Sequence, residues 1–366
     1  MQKATQATHT EAPVLFTVEN GVGEILLNRP KALNALSFEM AVPILETLRA
    51  WADDDTVKMV IIKGAGDKAF CAGGDIRAMY DAGSTNGQPV PEGDIRETFF
   101  RTEYSLNRTI ARFPKPYIAL LDGITMGGGI GLSLHGRYRV ATENLLIAMP
   151  ETGIGLFPDV GGSWFLPKLP GEVGTYMALT GARLKIGDAL YARLVTHHIS
   201  SQDLPGLEKA LRGCAEEADI DKAIQAALAG AHKPLQPETL GNLQALLDRC
   251  FSHDTVEAIQ EALAAESDEA ATKILGYFKG KSPTSLKVTL EQMRRGGQLG
   301  SIEECLEMEF TMVQNFMAGH DFFEGVRALL VDKDKSPKWQ PEALTGVSAT
   351  DVEKYFKPLS DKPLSF

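Results

Sequence analysis

Residues 149–162 (MPETGIGLFPDVGG) carry two carboxylates, Glu151 and Asp159, among apolar side chains and glycines. Burial in such surroundings raises a carboxyl pKa, the condition for a general acid or base near neutral pH. The plainer reading makes Asp159 a helix N-cap and leaves Glu151 on a solvated loop. Two glycine segments precede this one, residues 69–79 (AFCAGGDIRAM) and 122–131 (DGITMGGGIG). Each reads as a strand end feeding through glycines into a helix. First-turn N–H groups of a helix are unpaired, and glycine lets a ligand oxygen come close. Two such turns facing each other can clamp one developing oxyanion, where a single donor is typically worth about 3 kcal/mol. Tight packing of helix on sheet also selects small residues and is the competing explanation.

Other chemistries find little support. Residues 276–282 (GYFKGKS) approach a phosphate-binding loop but have three residues between the glycines where four are needed, and follow an Ala/Glu-rich helical stretch. No GxGxxG follows a strand, and no GxSxG is present. Cys71, Cys214, Cys250 and Cys305 form no CxxC pair, and the seven histidines include no HExxH, so disulfide and zinc readings both fail. Cys71 lacks a neighbouring histidine to activate it and reads as a small packed thiol.

The elements that must position these residues alternate. Residues 14–28 read as a hairpin about Asn20-Gly21, and Ser37 is expected to cap a helix to about Ala52 with Met40, Ile44, Leu45, Leu48 and Trp51 at helical spacing. Strands at 58–63, 117–121, 138–141 and 145–148 are separated by a long mobile loop (81–93) and a helix (94–112), with short helices at 173–180 and 188–193. This predicts an α/β domain with mostly parallel sheet over residues 14–200. Beyond it, 201–366 reads as a helical C-terminal region packing on the core, with helices near 207–217, 239–249, 256–265, 268–278, 286–293 and 302–316 and a loosely structured tail from 335.

Composition sets further expectations. With 37 Lys+Arg against 48 Asp+Glu the net charge is −11, which argues against a nucleic-acid surface, and any anionic ligand then needs local donors. No apolar run approaches the roughly 18 residues of a membrane span. Residues 1–13 (MQKATQATHTEAP) lack both an apolar core and arginines, so they read as a disordered leader and the expected location is cytoplasmic. A homo-oligomer stays open, because the helical third can either form an interface or cover one.

In order along the chain, residues 28–36 (NRPKALNAL), the two glycine segments and residues 149–162 resemble the crotonase (enoyl-CoA hydratase/isomerase) superfamily. The resemblance implies a ββα spiral and an acyl-CoA thioester whose oxygen is held by two backbone N–H groups, here Gly74 and Gly128. Hydratases of the family use two glutamates. The second matches Glu151, the first matches Gly131, and Asp159 falls where hydratases usually have glycine. That arrangement, with residues 320–341 (HDFFEGVRALLVDKDKSPKWQP), closely resembles the 3-hydroxyisobutyryl-CoA hydrolase subgroup, which acts in valine breakdown.

Thioester hydrolysis needs an oxyanion hole, a carboxylate to attack or to activate water, and an acid for the thiolate. The resemblance gives Glu151 the role of nucleophile or general base, and Asp159 that of positioning water or moving the proton. Glu103 is either a rim charge paired with Arg96 or Arg101 or the acceptor for a substrate 3-hydroxyl. Burial statistics alone favour the rim, while the likeness of its segment (FRTEYSLN) to the subgroup's pocket helix brings the acceptor level with it and makes Glu103 the candidate substrate-binding residue. Lys31 and Arg77 are either CoA-phosphate contacts or ordinary surface charge. No metal or separate cofactor is expected, CoA entering as part of the substrate. The alternative activity is enoyl-CoA hydration or isomerisation.

Overall fold

The computed structural model describes residues 12–360 and 362–366; residues 1–11 of the expected leader lie outside the described residues. Strands β1 (Val14–Glu19) and β2 (Val22–Leu27) form the hairpin. Its turn residues Asn20 and Gly21 have φ of +50° and +82°, the left-handed pair that matches strand twist. Helix α1 (Phe38–Asp53) buries Met40, Ile44, Leu45, Leu48 and Trp51, although the Ser37 hydroxyl at its N-cap makes no capping bond.

There follow β3 (Met59–Gly64), β4 (Ala69–Cys71), α2 (Arg77–Ala82), α3 (Ile95–Ala111), β5 (Tyr117–Leu121), β6 (Ile124–Met126), α4 (Gly128–Ser133), β7 (Tyr138–Ala141) and β8 (Leu146–Ala148). Three times in succession the chain lays one strand in a larger sheet and the next in a smaller one. The larger sheet has the order β1-β2-β3-β5-β7-β9, where β9 is His197–His198, and the smaller is β4-β6-β8. All pairings except β1–β2 are parallel. This repeat is the ββα spiral.

Strands covered on both faces must be apolar throughout, which is why β3 and β5 read as short continuous runs. Val60, Ile62, Ala119 and Leu121 enter the main core. Their neighbours Met59, Ile61, Ile118 and Leu120 point the other way. They meet Leu207 and Leu211 of a helix and Ile224 and Leu228 of the next.

Helices α5 (Gly162–Phe165), α6 (Val173–Thr180) and α7 (Ile186–Tyr191) complete the part before β9. Past His198 no further strand occurs among the described residues; the chain continues as α8 (Leu204–Cys214), α9 (Ile220–Ala231), α10 (Leu240–Phe251), α11 (Val256–Ala265), α12 (Glu269–Gly276), α13 (Pro283–Gly296), α14 (Ile302–Ala318), α15 (Asp321–Val326) and α16 (Ala349–Lys354). Helix α9 was not anticipated. The tail is also better ordered than expected. Ser348 and Asp351 close a capping box on α16, and Asn315 Nδ2 donates to the Lys357 carbonyl at 3.0 Å. Helices under two turns leave too little periodicity to read, but the capping box was visible.

The approximate phosphate-loop segment turns out to be the end of α12 and its link to α13, with no strand before it. No helix among the described residues is long and apolar enough to cross a membrane.

Candidate active site

The three strands of the smaller sheet all run the same way and end side by side. Adjacent parallel strands lie about 4.8 Å apart, so whatever follows each C-terminal end converges on one place. After β4 comes Gly73-Gly74, after β6 Gly127-Gly128, and three residues after β8 comes Glu151, first residue of a 3-10 turn (Glu151–Ile154). Sheet order β4-β6-β8 therefore places the second glycine pair between the first pair and the glutamate.

Gly73 has φ +129°, a conformation side chains rarely adopt, and it turns the chain so that Gly74 presents its nitrogen. Gly73 O and Asp75 N pair with Leu36, leaving Gly74 N outside the bridge. Gly128 opens α4, where the helical ladder has not begun. Among the described residues neither N–H is taken up by a hydrogen bond. A methyl group on Gly128 would lie 3.2 Å from Gly74 N and 2.7 Å from Glu103 Oε1, and one on Gly127 would lie 3.0 Å from Glu151 Oε1. The two donors and two carboxylates thus face one small space.

That space is a cavity of about 290 Å³ lined by both glycine pairs, Glu103, Glu151 and Asp159, with Phe99, Phe100, Ile154 and Leu156 among its apolar walls. Leu329 and Leu330 complete it from a short π-helical turn (Arg327–Val331) that follows α15. They are among the few large apolar side chains left exposed, at 46% and 39%.

Glu103 is only 2% exposed, so it is not a rim charge. Arg96 is taken by Asp94 and Arg101 by Glu97. Glu151 is equally hidden, which removes the solvated-loop reading, and Asp159 accepts from the Tyr104 hydroxyl at 3.0 Å instead of capping a helix. The N-cap of α5 is Gly161. Glu103 Oε1 and Glu151 Oε2 are buried without a hydrogen bond among the described residues.

Burial drives all three carboxyl groups up. For Glu103 the charges of Asp159, Glu151 and Glu309 add to it, and for Glu151 that of Asp159 adds to it while Lys281 pulls the other way. Burial pushes Asp159 to about 7, with the Tyr104 hydrogen bond opposing. Burial also pushes the Cys71 thiol up to about 12, leaving it an inert packing group.

Gly131 explains the departure from a two-glutamate site. A methyl there would lie 2.6 Å from Asn107 Nδ2 and 2.9 Å from Val160 Cβ. The volume a side chain needs is already occupied by the residue after Asp159.

Lys31 is exposed on a 3-10 turn (Pro30–Ala32), and Arg77, also exposed, pairs with Asp81 at 2.9 Å; neither lines the cavity. Instead Arg29 braces the first glycine loop, bonding Asp75 at 2.9 Å and the Ala35 carbonyl at 2.7 Å. The sequence reading passed over Arg29, Tyr104, Lys281, Gln292 and Glu309. Arg29, Tyr104 and Lys281 lie inside segments quoted for their motifs, Gln292 and Glu309 only inside expected helices. Among the described residues no three His, Cys, Asp or Glu side chains cluster as metal ligands.

Residues 22–356 match the family Enoyl-CoA hydratase/isomerase, and the chain belongs to that family. It is 46% identical over 366 residues to a Gallus gallus protein called 3-hydroxyisobutyryl-CoA hydrolase, mitochondrial, covering 99% of this chain and 93% of that one. The Homo sapiens protein of the same name is 45% identical over 365 residues, covering 98% and 92%. Among solved structures, a carnitinyl-CoA dehydratase from Mycobacterium thermoresistibile superposes with a TM-score of 0.88 at 39% identity, covering 97% of this chain and 98% of that one. The expected cytoplasmic location is overturned, because these relatives are named mitochondrial. That expectation rested on the pattern of residues 1–13, and lack of a familiar targeting pattern does not by itself fix a location.

Proposed function

We propose that this chain hydrolyses a short branched 3-hydroxyacyl-CoA thioester, converting 3-hydroxyisobutyryl-CoA to 3-hydroxyisobutyrate and CoA in valine breakdown. The supporting observation is the convergence of two unengaged backbone donors and three buried carboxylates on one cavity, in a chain 46% identical to a relative named for this reaction. The thioester oxygen sits between the Gly74 and Gly128 N–H groups, which stabilise the charge it gains as the carbonyl carbon becomes tetrahedral. Glu151 is either the nucleophile, forming an anhydride that water then opens, or the general base for direct attack by water. The C–S bond breaks, and Asp159 orients the water or carries the proton to the departing thiolate. Glu103 accepts a hydrogen bond from the 3-hydroxyl. Lys31 and Arg77 meet the phosphates of CoA.

Hydration of an enoyl-CoA is disfavoured by Gly131, where Val160 and Asn107 leave no room for a second glutamate. Release of free thiol from a panel of acyl-CoAs, with enoyl absorbance followed in parallel, tests the proposal. Thiol release greatest with 3-hydroxyisobutyryl-CoA supports it, whereas an enoyl signal without thiol would establish the hydratase reading.

A further inference from the structure

Asp159 is followed by two residues in the left-handed region, Val160 at φ +52° and Gly161 at φ +85°. For a β-branched residue this is a true outlier, costing roughly 1–3 kcal/mol, and it persists only where the surroundings over-determine it. Here they do. Gln292 Nε2, on α13, donates to the Pro158 carbonyl at 2.6 Å and to Ser163 Oγ at 2.9 Å. Glu309, on α14, accepts from Gly161 N through Oε2 and from Ser163 N through Oε1, both at 2.8 Å. His135 Nε2 lies 2.7 Å from the Val160 carbonyl oxygen, and Gly162 N closes the turn onto the Asp159 carbonyl at 2.8 Å. Polar backbone groups on both sides of one carboxylate are thus held by buried side chains, two of them from beyond residue 280. Glu309 and Gln292 are both 0% exposed and neither lines the cavity.

We infer that Glu309 and Gln292 are positioning residues that hold Asp159 in its working place, so that these two side chains of α13 and α14 complete the reaction site without touching substrate. The strained turn has two consequences at once. It aims the Asp159 carboxylate at Tyr104 and the cavity, and it drives the Val160 side chain into the space beside Gly131. An unstrained turn at Val160 would move both. The inference rests on the proposed role of Asp159 in thioester hydrolysis.

The test is a cycle of variants assayed by thiol release from 3-hydroxyisobutyryl-CoA. Glu309→Gln turns one acceptor into a donor facing a backbone N–H, so the turn loses a bond and gains a repulsion. Displacements of about 1 Å at a reacting group cost up to roughly 100-fold. Glu309→Gln is therefore expected to lower kcat by about 10- to 100-fold with KM changed less than about threefold. In an Asp159→Asn background the same change should cost less than about threefold, since residues acting through one group are not additive. Gln292→Met, which alters no charge and little volume, should show the same pattern more weakly and carries the test if Glu309→Gln does not fold.

An active parent with near-parental kcat in Glu309→Gln, or an equal loss in both backgrounds, overturns the inference and leaves the hydrolase reading intact. Absence of thiol release by the parent chain overturns the hydrolase reading itself and this inference with it.

Discussion

The two halves of the candidate site are built on different principles. Gly74 and Gly128 offer backbone donors at the ends of adjacent parallel strands, so their placement follows from the pairing of β4 with β6, helped only by Leu36 and Arg29 of the neighbouring N-terminal segment. Asp159 lies on a loop that no strand end fixes, and side chains from two distant helices, Gln292 and Glu309, hold it. Position by strand register is local and rigid. Position by long-range hydrogen bonds depends on the docking of the C-terminal helices.

The largest expected effect breaks the rigid half. Gly128→Val puts side-chain atoms where even a single methyl lies 2.7 Å from Glu103 Oε1 and 3.2 Å from Gly74 N. The variant should fold, as circular dichroism would show, and lose about 1000-fold or more in kcat, at or beyond the upper end of the loss from one oxyanion donor. Retained turnover would remove these glycines from the reaction.

Glu151→Gln and Asp159→Asn come next, each expected to lower kcat by about 100-fold or more, the scale of acid–base and nucleophilic roles. Both should leave the chain more stable than the parent at pH 8. Asp159 has its pKa raised from 3.8 to about 7, so between those values the native state keeps a proton that the unfolded state has released. Stability therefore falls as pH rises through that window, by a few kcal/mol at most, and the neutral amide escapes the loss. Thermal melts of parent and Asp159→Asn at pH 5 and pH 8 read this directly. A parent that gains stability toward pH 8 relative to the variant contradicts the raised pKa.

The same contrast decides what the sequence revealed. The glycine loops were legible because a strand, a glycine pair and a helix start are contiguous in the chain. The apolar runs of β3 and β5 were legible because both faces of the sheet are covered. Helix α9 escaped because its alanine-rich sequence buries only Ile224 and Leu228, too thin a stripe to count. The pocket position of Glu103 could not be read from the helical spacing of α3 alone, because Arg96 and Arg101 on the same helix were equally plausible partners in the sequence. Its burial comes from the packing of the cavity walls and of α14, whose Glu309 adds to its rise in pKa. For the same reason Glu309 and Gln292 carry no local signal. Each is one polar residue on an ordinary amphipathic helix.

Glu103→Ala sharpens the comparison on the side of specificity. A buried carboxylate left without its hydroxyl partner costs about 1–3 kcal/mol, so the parent should prefer 3-hydroxyacyl-CoAs over deoxy analogues by roughly 10- to 100-fold in kcat/KM. The alanine variant should lose most of that preference and harm deoxy substrates far less. Full discrimination by the variant would place hydroxyl recognition elsewhere.

The smallest effect concerns Lys281, which acts by charge on Glu151. Its ammonium lies 3.2 Å from where a methyl on Gly153 would stand, and 3.0 Å from where one on Gly181 would stand, under the turn that begins with Glu151. It comes from the C-terminal region, like Glu309, but acts on the carboxylate that strand order places. Its positive charge opposes the rise in the Glu151 pKa, and burial lowers its own to about 8. Lys281→Met keeps the volume and removes the charge, so Glu151 should hold its proton to higher pH and the acid limb of kcat should move upward. Above about pH 8 the parent's lysine is itself neutral, and the two enzymes should converge there. The expected signature is thus a deficit at pH 6–7 that disappears by pH 9. A deficit of equal size across that range would mean that Lys281 matters for packing and not for charge.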